Sequence, residues 1–345
     1  MKSITLNLDK SVPYHLTTYS GMNYELSHKD KYEKLNEYNV LKREFDNFFR
    51  SNYFIRLQFH IVREDDGSGG IEQEELWPLL DYINNDYIET GLLFYHPYDI
   101  NEILETEYLT LSGGPSLWYD EDGNPSIVYE LDSIRIINDI PNVIDIYFVN
   151  KYKWNSFSNW SCGTSTPSWF DTQGIIIAES CGSDLSDTGL NNTMQHELGH
   201  YFDLFHTHQV TNSSDSTEFG VYGSEYVNGD SCEFRGDGIC DTPADPNLTS
   251  LTDGSCNYLS DSTEVDNHGD EYDGEACLAY PPCENYGGPD TRNLMSYTPY
   301  NCREHFTYQQ NEKIVFIALS ERSDYLMDID PNDDGIINIL DLVLI

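Results

Sequence analysis

Hydrophobic and polar residues recur along the chain in patterns that predict both strands and helices. Residues 54–62 alternate between apolar and polar side chains, which predicts a strand. The apolar runs at 143–149 and 174–178 predict two further strands, and the second is the last strand before a histidine-rich segment. Apolar residues follow a helical spacing over 72–87, and the polar stretch 29–49 also has a helical pattern. The chain therefore mixes helix and strand.

The second half of the chain predicts two helices separated by a long loop region. Residues 191–203 predict a helix, and their aromatic and apolar side chains indicate that it is largely buried. Thr307 and Gln310 form a capping box that predicts a closing helix through about Tyr325. Residues 207–292 are rich in Gly, Asp, Ser, Asn and Cys. A loop that long is unusual in a compact domain, so we expect disulfides and bound ions to hold it.

The distribution of charge divides the chain near residue 50. The protein has 60 acidic and 18 basic residues, a net charge of −42. Residues 1–50 contain eight Lys and Arg against seven Asp and Glu, whereas the rest contains ten against 53. This shift predicts a boundary near residue 50, with an N-terminal extension or pro-region over 1–52. The motifs described below predict a main domain over 53–327 and a small C-terminal unit over 328–345. The negative charge argues against nucleic acid as a partner, because phosphates would be repelled.

The cysteines indicate an oxidising compartment. All eight lie between Cys162 and Cys302, and an even count without a close Cys-x-x-Cys pair favours disulfides over a thiolate metal site. Their pairing stays open. No apolar stretch approaches the roughly 18–20 residues of a membrane span, and residues 1–20 lack the apolar core of a signal peptide. We expect a secreted protein, with no signal peptide visible in this sequence.

A histidine motif carries the strongest chemical signal. His196 and His200 are four residues apart, so a helix places both imidazoles on one face, as a zinc site needs. Glu197 lies beside the first of them, where it can deprotonate a water on the metal. His206 can join them if the chain turns sharply near Asp203. Three neutral histidines leave a fourth position open for water, as in catalytic zinc sites. The alternative is a polar helix with ordinary hydrogen-bonded histidines.

A second motif follows about ninety residues downstream. Met295 lies in the sequence Asn-Leu-Met-Ser-Tyr, which ends at Tyr297. An extended histidine motif followed by such a methionine turn resembles the metzincin pattern of metalloproteases. The resemblance implies that Met295 forms an apolar floor beneath the zinc ligands.

Further details resemble one metzincin branch, the pappalysin/cytophagalysin (ulilysin-like) family. They are the histidine motif with Leu-Phe-His-Thr at 204–207, the Gly-Asp-Gly-Ile-Cys-Asp-Thr-Pro loop at 236–243, the methionine turn at 293–297, and Cys302 with Phe-Thr-Tyr-Gln-Gln at 306–310. The resemblance covers roughly 53–325. It implies an α+β zincin with a mixed twisted sheet and the active-site helix in an N-terminal subdomain, and a loop-rich, disulfide-stapled C-terminal subdomain. It also implies an edge strand before the zinc helix that lines the cleft, a transition-state role for Tyr297, and structural calcium.

One position departs from the family pattern. The usual glycine at the turn after the second ligand is Asp203 here. That glycine takes a left-handed conformation, which Asp and Asn tolerate best after Gly. We expect the turn to survive at a cost of about 1 kcal/mol. The alternative is that the Asp203 carboxylate itself approaches the metal.

Acidic clusters suggest calcium sites in the loop region. Asp237 and Asp241, with Asp245 nearby, could bind Ca²⁺ through hard oxygen ligands. Residues 266, 270 and 273 form a second aspartate cluster of this kind. A solvated acidic loop is the alternative for both.

The C-terminus has a separate calcium-loop pattern. Oxygen ligands recur at the spacing of such a loop, with Gly335 at its sixth position. The loop resembles a single dockerin-type repeat and leads into an apolar helix start, whereas dockerin modules use two repeats. The expected calcium ligands are Asp330, Asn332, Asp334, Ile336 through its carbonyl, Asn338 and Asp341. An acidic tail is the alternative, and a docking partner for the repeat is an expectation.

Together these features predict a secreted zinc endopeptidase that hydrolyses peptide or protein substrates. His196, His200 and His206 bind Zn²⁺, Glu197 activates the water, and Tyr297 assists at the oxyanion. The alternative is a non-catalytic module, stabilised by zinc or calcium and anchored through its C-terminal repeat. Residues 1–52 are expected to cover the cleft, and an acidic cleft would favour Lys or Arg beside the scissile bond.

Overall fold

The computed structural model describes residues 53–96, 98–113, 115–119, 125–153, 160–179, 187–209, 217–218, 221–259, 265–272 and 288–327. The helical pattern at 29–49 and the C-terminal calcium loop lie outside these residues. The helices of the described residues are α1 (Trp77–Asp86), α2 (Glu130–Asn138), α3 (Asp187–Tyr201) and α4 (Tyr308–Leu319). The strands are β1 (Tyr53–Arg63), β2 (Leu92–Tyr95), β3 (Asn101–Leu104), β4 (Thr110–Ser112), β5 (Pro115–Tyr119), β6 (Pro125–Tyr129), β7 (Ile144–Val149), β8 (Lys151–Lys153), β9 (Trp160–Ser161), β10 (Gly163–Ser165), β11 (Ile175–Ala178), β12 (Thr217–Glu218), β13 (Val221–Tyr222) and β14 (Leu326–Met327).

A mixed sheet forms the centre of the protein. Strand β1 pairs in parallel with β7, and β7 pairs in parallel with β11. Strands β2 and β3 also run parallel to β1, whereas β14 and β10 pair antiparallel with β1 and β11. The strands predicted at 54–62, 143–149 and 174–178 are therefore confirmed as β1, β7 and β11. The sheet has both parallel and antiparallel pairs, as the α+β class requires.

Strand periodicity assigns the side chains of the sheet to two buried clusters. In β11, Ile175 and Ile177 belong to one cluster, while Ile176 and Ala178 belong to the other. The larger cluster also contains apolar residues from α1, α3 and α4, and the smaller one includes Leu131 and Ile134 from α2. Because successive side chains of a strand point to opposite faces, both faces of the sheet are covered. Helix α3 lies within the larger cluster and is buried as predicted.

The closing helix is anchored at its start. The Thr307 hydroxyl accepts a hydrogen bond from the Gln310 amide, and the Gln310 side chain accepts one from the Thr307 amide, which confirms the capping box. The helix ends at Leu319, six residues earlier than predicted, and a separate 3-10 turn occupies Ser323–Tyr325. The predicted helix over 72–87 likewise divides into a 3-10 turn at Gln73–Glu75 and α1.

Disulfides hold the loop-rich part of the chain. Cys232 pairs with Cys240, and Cys256 pairs with Cys302. Cys162 is disulfide-bonded as well. The α+β class is confirmed, with its mixed sheet and a disulfide-stapled region of loops that follows the histidine helix. The cross-links fix the segments on both sides of the methionine turn.

Candidate active site

Helix α3 positions two of the predicted ligands. His196 and His200 lie one turn apart, with ring centroids separated by 4.7 Å. His196 is buried and His200 is nearly so. The spacing of four residues therefore places both rings on one face of the helix, as predicted.

A Schellman turn ends this helix and returns the chain toward the site. The Asp203 amide donates to the His200 carbonyl over 2.9 Å, and the Leu204 amide donates to the Gly199 carbonyl over 3.0 Å. Asp203 has φ 62°, the left-handed conformation expected where the family has glycine. Its carboxylate accepts hydrogen bonds from the Ser168 amide at 2.7 Å and the Ser168 hydroxyl at 2.5 Å. The turn thus survives with aspartate, and the carboxylate holds Ser168 and does not turn toward the three histidines.

The turn brings His206 to the other two histidines. The Nε2 atoms are 3.2 Å apart for His196 and His200, 3.0 Å for His200 and His206, and 3.2 Å for His206 and His196. A point about 2.0–2.1 Å from all three nitrogens, the usual zinc distance, therefore exists and leaves one tetrahedral position open. These are the three histidines that the sequence identified, and together they can hold a metal ion.

Backbone carbonyls orient the rings. His196 Nδ1 lies 2.7 Å from the Leu294 carbonyl, and His200 Nδ1 lies 2.7 Å from the Leu204 carbonyl. Since a carbonyl only accepts, each Nδ1 carries the proton and each Nε2 presents its lone pair to the centre. Burial lowers the pKa of His200 to about 4 and lowers the pKa of His196 and His206 well below the usual value. All three rings are therefore neutral, the form that binds a metal.

Glu197 lies on the same helix and is buried. Burial raises the pKa of its carboxyl to about 8, although the charges of Arg303 and Arg135 act in the opposite direction. Strand β10 passes directly beside it, because a Cβ on Gly163 would lie 2.8 Å from Glu197 Cγ. A carboxyl with a pKa near neutrality can both accept and return a proton, as a general base requires.

The edge strand differs from the one that the sequence suggested. Residues 174–178 were expected to give the strand that lines the cleft, but β11 is flanked by β7 and β10 and is internal. The edge strand is β10, the antiparallel partner of β11. Its three residues, Gly, Thr and Ser, have no alternation of apolar and polar side chains that would predict a strand. Gly163 gives this edge room to pass against Glu197.

Met295 lies against the histidine helix at Gly199. A Cβ on Gly199 would lie 2.6 Å from Met295 Sδ, so the glycine allows the thioether to contact the helix backbone. Asn293 shapes the turn by accepting a hydrogen bond from the Met295 amide over 2.9 Å. The next residue, Leu294, supplies the carbonyl that orients His196. The methionine turn therefore supports the histidine helix through packing and His196 through a hydrogen bond.

Tyr297 faces the histidines with a partly exposed ring. Its centroid is 4.5 Å from that of His206 and 6.0 Å from that of His196. Desolvation raises the pKa of its hydroxyl to about 12, with a smaller contribution from Glu197. The phenol thus stays protonated at neutral pH and is able to donate a hydrogen bond.

The aspartates of the 236–245 loop tie the site together. Asp245 accepts hydrogen bonds from the hydroxyls of Thr207 at 2.6 Å and Ser296 at 2.9 Å, which join the chain after His206 to the methionine turn. Asp241 accepts from the Thr307 hydroxyl at 2.6 Å and from the Gln309 amide at 2.8 Å, at the start of α4. The sequence suggested calcium ligands here and did not anticipate these hydrogen bonds.

Asp237 and the second acidic cluster have local partners. Asp237 accepts from the Ile239 amide and the Thr242 hydroxyl at 2.9–3.0 Å. Asp266, His268 and Asp270 form a group that could hold an ion. The Asp266 carboxylate also accepts hydrogen bonds from the backbone amides of His268 and Asp270. The third predicted member, at position 273, and the C-terminal ligands at 330, 332, 334, 336, 338 and 341 lie outside the described residues.

Two residues beside the histidines were not identified from the sequence. The ring of His208 stacks on His206 at 4.9 Å between centroids and contacts Tyr297 at 4.4 Å. Arg303 donates a hydrogen bond to the carbonyl of Thr298, the residue after Tyr297, and its charge lowers the pKa of Glu197 and Tyr297. His208 is two positions after the third ligand, a proximity that could have suggested a role. Arg303 comes close only through the fold.

Comparisons with known proteins give distant structural similarity. No described helix is long and apolar enough to cross a membrane. No family model matches the chain, and no curated protein matches it.

The chain is similar to a structure of mirolysin in complex with compound 9, at 16% identity and a TM-score of 0.49, covering 82% of this chain and 98% of that one. It is also similar to Tannerella forsythia mature mirolysin with a cleaved peptide (16% identity, TM-score 0.47, 82% and 98% covered) and to a promirolysin mutant from Tannerella forsythia (17%, 0.46, 90% and 95%).

Proposed function

We propose that the protein is a zinc-dependent endopeptidase of the metzincin type. The observation that carries this proposal is the convergence of three neutral histidine nitrogens within 3.2 Å of one another, with the buried carboxyl of Glu197 on the same helix. Three protein ligands and one open position are the arrangement of a catalytic zinc site, whereas structural sites use four protein ligands. A general base beside the ligands has a use in hydrolysis and none in a purely structural site.

The residues divide the reaction between them. Zinc, when bound by the three histidines, would polarise the scissile carbonyl and make water more acidic. Glu197 takes a proton from the attacking water and then delivers it to the leaving amine. Tyr297 donates a hydrogen bond toward the carbonyl oxygen as negative charge develops there. Met295 keeps the histidine helix at a fixed height by packing under Gly199.

A peptide substrate would bind along the edge of the sheet. Within the described residues, β10 pairs only with β11, so its other edge has no strand partner there. An extended peptide added there would receive main-chain hydrogen bonds and pass close to Glu197, since Gly163 is in that strand. This platform favours peptides and proteins as the substrate class. The catalytic domain would comprise residues 53–327.

The loop region is proposed to bind calcium beside the active site. Glu225 is buried, and its Oε2 atom has no hydrogen-bond partner. Desolvation, followed by the charges of Asp237, Asp245 and Asp241, raises its pKa well above the usual value. A hard cation would supply the missing partner and offset the repulsion among these carboxylates. Through Asp245 such an ion would act on both the chain after His206 and the methionine turn.

Several proposals rest on the sequence alone. They are a place in the pappalysin/cytophagalysin branch, export to an oxidising compartment, latency conferred by residues 1–52, and a dockerin-type calcium repeat at 328–345 with a docking partner. The disulfides Cys232–Cys240 and Cys256–Cys302 agree with export. Each of these proposals is separable from the chemistry of the zinc site.

Metal analysis combined with casein cleavage tests the proposed activity. We expect one zinc per chain and cleavage that stops with a zinc chelator. Glu197→Gln should abolish cleavage and keep the zinc, whereas Glu321→Gln, at an exposed glutamate, should change neither. Zinc without cleavage, before and after removal of residues 1–52, would instead support the non-catalytic module. Cleavage that survives Glu197→Gln would refute the proposed mechanism.

A further inference from the structure

Arg303 is held against the active-site helix by its neighbours. It directly follows the 3-10 turn Tyr300–Cys302, which packs on α3, and Cys302 is cross-linked to Cys256. The Arg303 Nε donates a hydrogen bond to the Thr298 carbonyl over 3.1 Å. Its guanidinium carbon lies 5.0 Å from the centre of the Tyr300 ring. The stem of the side chain therefore has a fixed direction.

The far end of the same side chain contacts the Tyr300 ring but has no hydrogen-bond or ion-pair partner at its terminal nitrogens among the described residues. The two terminal nitrogens of Arg303 make no hydrogen bond or ion pair there. They are not among the fully buried polar atoms that lack a partner, and the residue is partly exposed, so a ligand can reach them. Arg322 provides a contrast, because its three nitrogens bind the Tyr201 carbonyl, the Gln173 side chain and the Thr166 carbonyl. Arg322 is a structural cation, whereas Arg303 presents an open pair of donors.

The guanidinium of Arg303 lies on the flank of the histidine site. Its anchor, Thr298, directly follows Tyr297, whose ring centroid is 4.5 Å from that of His206. The Tyr300 ring that it contacts carries a hydroxyl 2.7 Å from Cys162 Sγ, and Cys162 directly precedes the edge strand β10. The chain has 18 basic residues against 60 acidic ones, so a cation here opposes the overall charge. It also opposes the expectation that an acidic cleft would favour Lys or Arg in the substrate.

We propose that Arg303 is a specificity residue that binds a carboxylate of the peptide substrate next to the scissile bond. The inference rests on the proposed endopeptidase function. A guanidinium presents paired donors that match the two oxygens of a carboxylate, and such bidentate pairs are directional. Anchoring through Nε leaves both terminal nitrogens for the ligand. The carboxylate is either an Asp or Glu side chain or the free C-terminus of a short peptide.

A set of matched fluorogenic peptides tests this inference on the zinc-loaded protein. The peptides differ only in having Glu, Gln or Lys after the scissile bond, and each is made with a free and an amidated C-terminus. For the wild type we expect kcat/KM for the Glu peptide to exceed that for the Gln peptide by about tenfold or more. A preference that follows the free C-terminus and not the Glu side chain would assign the carboxylate to the chain end.

Variants at position 303 assign the preference to this side chain. Arg303→Gln should bring the Glu to Gln ratio close to one, and Arg303→Glu should invert the order in favour of Lys. Arg292→Gln is the matched control, because Arg292 is an exposed arginine already paired with Glu304. It should keep the wild-type ratio. Ratios within each variant cancel a general loss of activity, and zinc content is measured for each protein.

A binding measurement on the wild type covers the case in which the variants do not fold. Short product-like peptides that begin with Glu should inhibit more strongly than those that begin with Gln, and high salt should reduce the difference because Arg303 is partly exposed. Equal cleavage and equal inhibition by Glu and Gln peptides would overturn the role of Arg303 while leaving the endopeptidase proposal intact. No cleavage of any peptide by the zinc-loaded protein would overturn the endopeptidase proposal.

Discussion

Replacement of Asp203 by glycine should destabilise the protein, even though glycine is the residue that the family pattern has at this turn. Asp203 has φ 62°, which glycine adopts without strain. Its carboxylate, however, accepts two hydrogen bonds from Ser168 at 2.7 and 2.5 Å. The substitution therefore removes a backbone strain and two charge-assisted hydrogen bonds at once. The relative magnitudes of the two effects decide whether the free energy of unfolding rises or falls.

The hydrogen bonds outweigh the strain. Relief of the left-handed conformation is worth about 1 kcal/mol, and a more flexible unfolded chain offsets much of that gain. Each hydrogen bond to a charged acceptor contributes about 1.5–3 kcal/mol. Burial raises the pKa of Asp203, so part of the gain from the bonds is spent on desolvating the carboxylate. We expect Asp203→Gly to lower the free energy of unfolding by about 2–4 kcal/mol.

Two further substitutions separate the contributions. Asp203→Ala removes the bonds and keeps a Cβ at positive φ, so it should be about 1 kcal/mol less stable than Asp203→Gly. Asp203→Asn tolerates the same φ, and its amide can accept from the Ser168 amide and donate to the Ser168 hydroxyl, so it should lose about 1 kcal/mol or less. Urea unfolding with zinc bound and with zinc removed measures all three. An Asp203→Gly protein as stable as the wild type would refute the reasoning.

Three other perturbations have directions set by the structure. Gly199→Ala places a Cβ 2.6 Å from Met295 Sδ, so it should cost about 1–3 kcal/mol and weaken zinc binding in a chelator competition, and adding Met295→Ala should restore part of both. Glu225→Gln should raise the melting temperature in a calcium chelator, because burial raises the pKa of Glu225 and penalises its charge. The variant should also lose the stabilisation that added Ca²⁺ gives the wild type. A calcium response equal to that of the wild type would contradict the site. The hydrogen bond to Asp290 raises the pKa of His305, so its contribution to stability is full below the unfolded pKa and is lost as pH rises through the folded one. The stability difference between the wild type and His305→Gln should therefore shrink from pH 5 to pH 9, and growth over that range would be inconsistent with the pair.

Local patterns in the sequence were sufficient for the principal elements. The strands β1, β7 and β11 follow from runs of apolar residues that both faces of the sheet bury, and the capping box at Thr307 fixed the start of α4. The edge strand β10 was missed, since three small residues carry no strand periodicity. Its conformation is imposed by pairing with β11. The end of α4 was placed too late, because a 3-10 turn continues the same apolar pattern beyond Leu319.

The sequence by itself determined the grouping of the three histidines, because a spacing of four residues on a helix makes two imidazoles neighbours and a left-handed turn at Asp203 returns the third. These are short-range consequences of backbone geometry. Only the tertiary structure decided what surrounds them. Arg303, Asp245 and Gly163 are distant from the motif in the chain, and they reach it through the disulfide, the hydrogen bonds of the loop region and the pairing of the edge strand. Long-range contacts of this kind depend on packing of the whole chain, which no local pattern encodes.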